Sequence, residues 1–251
     1  MRKDDGISTV WVNDLLSTPA AKGWSAADGG RFMDPLITLS FLAGRTNQIN
    51  LGTGILIVPC RPAVQQYKEI ATLQELSGGR FRFGVGVGWN ENEFQALGIP
   101  YTERGKRTNE TLALMTEAFA SDEITVNGAI LPALPRPPRP PFYIGGMTDV
   151  ALRRVIEFGD GWLASELMPD QIAKPMARLS ELAEEVGKPT PITIVMKTLP
   201  LDDVNEAIEM AQAYAEAGCD EISHGDGDPD AATYRRRIEI LAEKVIPSVA
   251  T

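Results

Sequence analysis

The chain has 251 residues, 43% hydrophobic and 23% charged, with 34 acidic against 24 basic side chains and a formal net charge of −10. That length suits one (β/α)8 barrel of about 250 residues, and that charge repels phosphate backbones and acidic membranes, so nucleic acid is excluded as a partner. Two cysteines (Cys60, Cys219), a single histidine (His224) and no apolar run near the roughly 20 residues of a membrane span leave a cytoplasmic protein with reduced thiols, no metal site and no membrane contact as the expectation.

Short apolar runs alternate with longer amphipathic ones. The predicted strands are Thr9–Asn13, Ile49–Val58, Phe81–Val87, Phe142–Gly145, Gly161–Ser165, Ile192–Thr198 and Asp220–Ser223. They are rich in Val, Ile and aromatic residues, and several lack two-residue alternation, as strands buried on both faces do. The predicted helices that follow them are Asp34–Thr46, Ala63–Leu76, Arg104–Ala120, Asp149–Phe158, Asp170–Val186, Asp202–Ala217 and Asp230–Val245. Pro62 marks one helix entry, and Gly187 and Gly218 mark helix stops. Strands alternating with helices of this length imply a parallel sheet.

The fold class read from this pattern is α/β, a TIM (β/α)8-type barrel in one domain over residues 1–251. Seven βα units are visible where a closed barrel has eight, with no counterpart of the first barrel strand, so the expectation is either a native chain that starts further upstream or a departure from a closed barrel. Dimerisation is one way to cover the edges this leaves, and a homodimer is expected. One segment breaks the rhythm, an insertion of about residues 122–141 before the fifth strand of the barrel. Ile124–Leu131 reads as a hairpin turning at Asn127-Gly128. Pro132 to Pro141 then holds six prolines in ten residues, an extended, polyproline-like stretch.

In barrels the active site is built from the C-terminal ends of the strands and the loops after them. Asp14 follows the first strand present. It is a candidate for contact with a substrate or ring system, or else a loop cap. Gly52 and Gly54 interrupt the next strand, which makes sense where something approaches the backbone closely. Gly84-Val85-Gly86-Val87-Gly88-Trp89 alternates glycines and suggests a flat slot at the same depth. Its spacing is wrong for a dinucleotide fingerprint. Trp89 is a candidate pocket wall. Gly145-Gly146-Met147-Thr148 leads into a helix N-terminus, a ready phosphate site, with Thr148 as a cap or donor. Trp162, at the N-terminal end of its strand, reads as barrel-bottom packing. His224, within Ser223-His224-Gly225-Asp226, reads first as a loop residue and second as a general acid or base.

The run Leu51-Gly52-Thr53-Gly54-Ile55, with Pro59, Arg61-Pro62, Ala71-Thr72-Leu73, Leu76-Ser77-Gly78-Gly79-Arg80 and the glycine run ending at Trp89, resembles the luciferase-like monooxygenase superfamily. Glu93-Phe94, Gly98, Arg104-Gly105, Gly145-Gly146, Ala151-Leu152-Arg153-Arg154 and Gly159-Asp160-Gly161-Trp162 extend the likeness over nearly the whole chain. It is most similar to the branch of coenzyme F420-dependent oxidoreductases.

The resemblance implies a non-proline cis peptide at Gly54-Ile55 that backs a flavin or deazaflavin ring, with Gly86 and Gly88 beside it. It also implies phosphate binding at Gly145, Gly146, Met147 and Thr148. Asp14 and Trp89 become the ring-proximal candidates for catalysis. The implied cofactor is F420, with FMN the alternative, and the implied reaction is hydride transfer to or from a small organic substrate. An FMN-dependent monooxygenase and a non-catalytic flavin-binding or interaction protein are the other readings. Leu15 stands where the superfamily's sugar-phosphate dehydrogenases have a catalytic histidine, and Trp89 where they have a glutamate. That activity is therefore not expected.

Overall fold

The computed structural model describes residues 6–16, 32–225 and 230–249. The chain divides into two compact units, residues 9–143 and residues 144 onward with the N-terminal residues before Thr9. Each is built of parallel strands with helices between them.

In the first unit, β1 (Thr9–Val12) pairs in parallel with β2 (Asn50–Thr53), and β2 pairs with β4 (Phe81–Gly86). A short strand β3 (Leu56–Ile57) continues the path of β2 and also pairs with β4. The single predicted strand Ile49–Val58 is thus two strands broken at Gly54-Ile55, whose peptide bond is cis. Helix α1 (Pro35–Ala43) starts at Asp34, whose carboxylate accepts the Ile37 N–H at 3.0 Å. This is ordinary N-capping with proline in the first turn. Helix α2 (Ala63–Leu76) buries Tyr67, Ile70, Ala71 and Leu73, and the core opposite is Phe81, Phe83 and Val85 of β4.

Two helices follow, α3 (Glu91–Ala96) and α4 (Arg104–Ala120). The first was not foreseen, because six residues are too few to show a periodicity. The insertion forms as expected. Strands β5 (Glu123–Val126) and β6 (Ala129–Pro132) pair antiparallel around Asn127 and Gly128. Both turn residues have positive φ, 51° and 80°, which the tight hairpin turn demands. The proline-rich stretch offers carbonyls but few N–H groups, and α2 answers with side-chain donors. Tyr67 Oη reaches the Pro135 carbonyl at 3.0 Å, Lys68 Nζ that of Leu134 at 2.9 Å, and Gln74 Nε2 that of Pro138 at 3.1 Å.

Strand β7 (Phe142–Gly145) carries the chain from the first unit into the second. There α5 (Asp149–Phe158), β8 (Gly161–Ser165), α6 (Pro169–Glu185), β9 (Ile192–Met196), α7 (Val204–Glu216), β10 (Glu221–Ser223), α8 (Ala231–Ile240) and α9 (Ile246–Val249) continue the alternation. Strands β8, β9 and β10 pair in parallel. Five predicted elements, among them α2, α4, α5 and β8, have the boundaries read from the sequence. Among the described residues no helix is long and apolar enough to cross a membrane.

Arg80, the end of the Ser-Gly-Gly-Arg run, explains that motif. Its guanidinium donates to the carbonyls of Ala43 (3.2 Å), Thr46 (2.9 Å), Ile49 (2.7 Å) and Ser77 (2.7 Å) and to the Thr46 hydroxyl (3.0 Å). One side chain thereby satisfies the C-terminal end of α1 and the loop into β2. Arg80→Leu strands these acceptors and is expected to cost about 2–3 kcal/mol. Urea denaturation checks this, with a lowered midpoint at unchanged slope as the expected result.

Candidate functional site

The break between β2 and β3 is held from three sides. The Gly54 N–H donates to the Val12 carbonyl at 2.9 Å, and the Asp14 N–H donates to the Ile55 carbonyl at 3.2 Å. The Asp14 carboxylate accepts the Ile57 N–H at 2.8 Å and takes both terminal nitrogens of Arg61. Arg61 also reaches Asp34 at 3.1 Å, which ties the start of α1 to the same knot. Thr53 bridges the interrupted ladder. Its hydroxyl donates to the Gly84 carbonyl at 2.8 Å and accepts the Gly84 N–H at 2.9 Å.

Asp14 reads from the sequence as a contact for substrate or ring system, or else as a loop cap. Its side chain is instead only 3% exposed and bound to Arg61 and to the backbone of the break. A buried carboxylate needs a counter-charge and donors, and Asp14 has both here. Arg61, quoted in the sequence only as part of a motif, is the partner that sequence reasoning missed.

The glycine run was expected to leave a bare slot. Space at Gly86 is in fact taken by Ile55, since a Cβ there would lie 2.2 Å from Ile55 Cδ1. Space at Gly52 is likewise taken by the Trp11 ring, at 2.3 Å. Gly86 therefore seats the side chain of Ile55 across β4 rather than presenting naked backbone. At Gly88 a Cβ would meet Ile57 and Phe94 at 2.8 Å. Ile57, Cys60 and Phe94 form a buried cluster with Ile55, Ile99 and Tyr101 packed on it. Burial pushes the Cys60 thiol up to about 11, with Glu93 and Asp14 adding to the shift, so this cysteine is an inert part of the cluster at neutral pH. Trp89, just past β4, is 51% exposed, and its carbonyl accepts the Tyr101 hydroxyl at 3.1 Å. Glu93 is buried and accepts the Leu16 N–H at 2.9 Å.

In the second unit, Gly145-Gly146-Met147-Thr148 ends β7 and opens α5. Gly146 has φ 112°, and a Cβ on it would lie 2.8 Å from the Ala151 methyl. Only glycine suits both conditions. Thr148 caps the helix, its hydroxyl accepting the Ala151 N–H at 3.3 Å. The other first-turn N–H groups are helix-end donors without an intrahelical partner. Met147 is half exposed.

Trp162 packs as expected and makes a polar contact besides. It is fully buried, yet its indole N–H donates to the Gly146 carbonyl at 2.7 Å. It is therefore a tether for the glycine turn as well as packing. Its position at the start of a strand concealed this, because an indole reaches far along its strand. The C-terminal ends of β8, β9 and β10 carry Glu166, Lys197 and His224. Lys197 Nζ lies 2.8 Å from Glu166 Oε2. His224 Nδ1 accepts the Leu199 N–H at 3.0 Å, and burial lowers the imidazole's pKa, helped by Arg237. Asp226, quoted with His224 in the sequence, lies outside the described residues. Among the described residues no group of three metal-ligating side chains forms.

Residues 4–242 match the family model of the luciferase-like monooxygenases. An F420-dependent glucose-6-phosphate dehydrogenase of Amycolatopsis mediterranei is 28% identical over 226 residues, 84% of this chain and 66% of that protein. The structure of an F420-dependent secondary alcohol dehydrogenase with an F420–acetone adduct superposes with a TM-score of 0.83 at 20% identity, covering 99% of this chain and 92% of that one. The FMN complex of the oxygenating constituent of 3,6-diketocamphane monooxygenase of Pseudomonas putida gives a TM-score of 0.79 at 15% identity, covering 98% and 89%. The fold class is thus the TIM-barrel type of this family, as expected from the sequence.

Asp14→Ala removes Arg61's buried counter-ion, leaving it only the partly exposed Asp34, and frees the Ile57 N–H. A loss of about 3–5 kcal/mol is expected. Chemical denaturation of the variant beside Asp14→Asn, which keeps an acceptor for Ile57, measures it, with the asparagine variant less affected.

Proposed function

We propose, for a chain that belongs to the luciferase-like monooxygenase family, that it is an oxidoreductase using coenzyme F420 for hydride transfer to or from a small, mostly apolar organic substrate. The observation that carries this reading is the Gly145–Thr148 turn. Gly146 is held at φ 112° with its carbonyl on Trp162, and a capped ten-residue helix opens behind it. Such a turn suits a phosphate-bearing cofactor, because helix-end N–H groups and the helix dipole favour an anion there. F420 is preferred to FMN because the relative at 28% identity is an F420 enzyme, whereas the FMN-binding structure stands at 15%.

When bound, the deazaflavin supplies the hydride-accepting and hydride-donating carbon of its ring. The chain's own residues hold and orient it. Gly145, Gly146, Met147 and Thr148 take the phosphate. Gly54 and Ile55 form the ring's backrest, with Ile55 steadied over Gly86. Asp14 and Arg61 keep the backrest rigid, and Trp89 is a wall for ring or substrate.

FMN-dependent oxygenation is the alternative, supported by the FMN-bound structure. Titration with F420 and with FMN, followed by fluorescence and thermal shift, separates the two. Saturable F420 binding with no FMN response is expected, and the reverse supports the alternative. Gly146→Val, whose Cβ meets Ala151, is expected to weaken F420 binding by more than about tenfold.

For assembly we propose a homodimer. Helix α1 has no charged residue, and its Ile37 and Phe41, one turn apart, are 74% and 68% exposed. A helix apolar on every side calls for cover. Sedimentation is expected to find a dimer that Phe41→Asp converts to monomer; a monomeric wild type would refute the proposal.

A further inference from the structure

Strands β8, β9 and β10 end flush. The last register pairs are Ser165 with Met196 and Ser223 with Met196. Just beyond them stand Glu166 and Lys197. The Glu166 N–H donates to the Met196 carbonyl at 3.0 Å, and the Lys197 N–H to the Ser223 carbonyl at 3.0 Å. Both backbones are therefore fixed where their strands stop. On its other side the Glu166 segment is pinned by Tyr214, whose hydroxyl donates to the Leu167 carbonyl at 2.6 Å.

Glu166 adopts φ 57°, a left-handed conformation that a glutamate seldom takes. Such conformations persist where the surroundings dictate them, and they cluster at ligand-binding sites. Its carboxylate lies 2.8 Å from the Lys197 ammonium, and the two side chains differ in exposure, 67% for Glu166 against 19% for Lys197. The cation lies within and the anion toward solvent. In this fold the C-terminal strand ends carry the chemistry, and a lone lysine there would be a receptor for phosphate or carboxylate.

Glu166 cancels that charge. A tethered carboxylate acts at an effective concentration of millimolar or more, so a free anion at lower concentration cannot displace it. The chain's net charge of −10 adds to the repulsion. A neutral oxygen faces no such barrier. The ammonium has three N–H donors, and among the described residues Glu166 occupies one of them, leaving donors for a carbonyl or hydroxyl oxygen.

We propose that Glu166 and Lys197 form a specificity element that binds the neutral oxygen of an alcohol or carbonyl substrate and turns anionic substrates away. The proposal deepens the oxidoreductase reading and rests on it for the identity of the substrate. The charge cancellation itself does not depend on a cofactor.

The test has two arms. Inorganic phosphate is titrated by calorimetry into wild type, Glu166→Gln, Glu166→Ala and the double variant Glu166→Gln/Lys197→Met. Phosphate held at the Gly145–Thr148 turn is common to all four proteins; beyond it, one additional site is expected in both single variants and none in wild type or the double variant. The same number of phosphate sites in wild type and in both folded single variants overturns the proposal, and so does an additional site that persists in the double variant.

In the second arm, oxidation of 2-propanol and of lactate with F420 is compared. Glu166→Gln is expected to shift the ratio of kcat/KM toward lactate by about tenfold or more. An unchanged ratio overturns the specificity role. No turnover by any variant, beside the expected phosphate result, sinks the oxidoreductase reading while the charge cancellation stands.

Discussion

One buried carboxylate organises the first unit. Asp14 joins the end of β1, the broken strand β2–β3 and the loop carrying Arg61, and through Arg61 it reaches the cap of α1. A strand interrupted in mid-sheet loses ladder bonds, and each buried N–H left over has to find another acceptor. Asp14 accepts one from Ile57, and Thr53 accepts one from Gly84. Arg61 then balances the charge that this solution introduces. The conformation of the Gly54-Ile55 segment, the placing of Ile55 over Gly86 and the entry into α2 after Pro62 all hang on that small network.

Much of the fold could be read in advance because its signals are local. Proline at helix starts, glycine at helix stops and β-branched runs between them mark the elements, and the helices α2, α4 and α5 have the bounds those signals set. Resemblance to a family located the break at Gly54-Ile55, which no periodicity could have done. What sequence could not convey was partnership. Asp14 and Arg61 are 47 positions apart, and Trp162 lies 16 residues from the carbonyl it holds. Nothing in the identity of an aspartate tells a free base from a buried counter-ion. That distinction is one of burial, and burial is settled by segments remote in the chain.

The glycines teach a related lesson. Read along the strand, Gly84, Gly86 and Gly88 suggest a surface stripped of side chains. In three dimensions Ile55 fills the place at Gly86, while Ile57 and Phe94 crowd Gly88. A missing side chain on one strand most often makes room for a large one on its neighbour, since interiors are packed without voids. At Gly88 and at Gly146 backbone conformation and space both require glycine.

The proline-rich tail of the insertion has a further consequence. A two-stranded hairpin leaves edges on which another chain could build, and such edges are where sheets recruit copies of themselves. Beyond β6 the chain can accept hydrogen bonds but donate few, and its carbonyls at Leu134, Pro135 and Pro138 are already taken by α2. Pro132 itself closes the last rung of β6. The segment is therefore a poor template for a growing ladder.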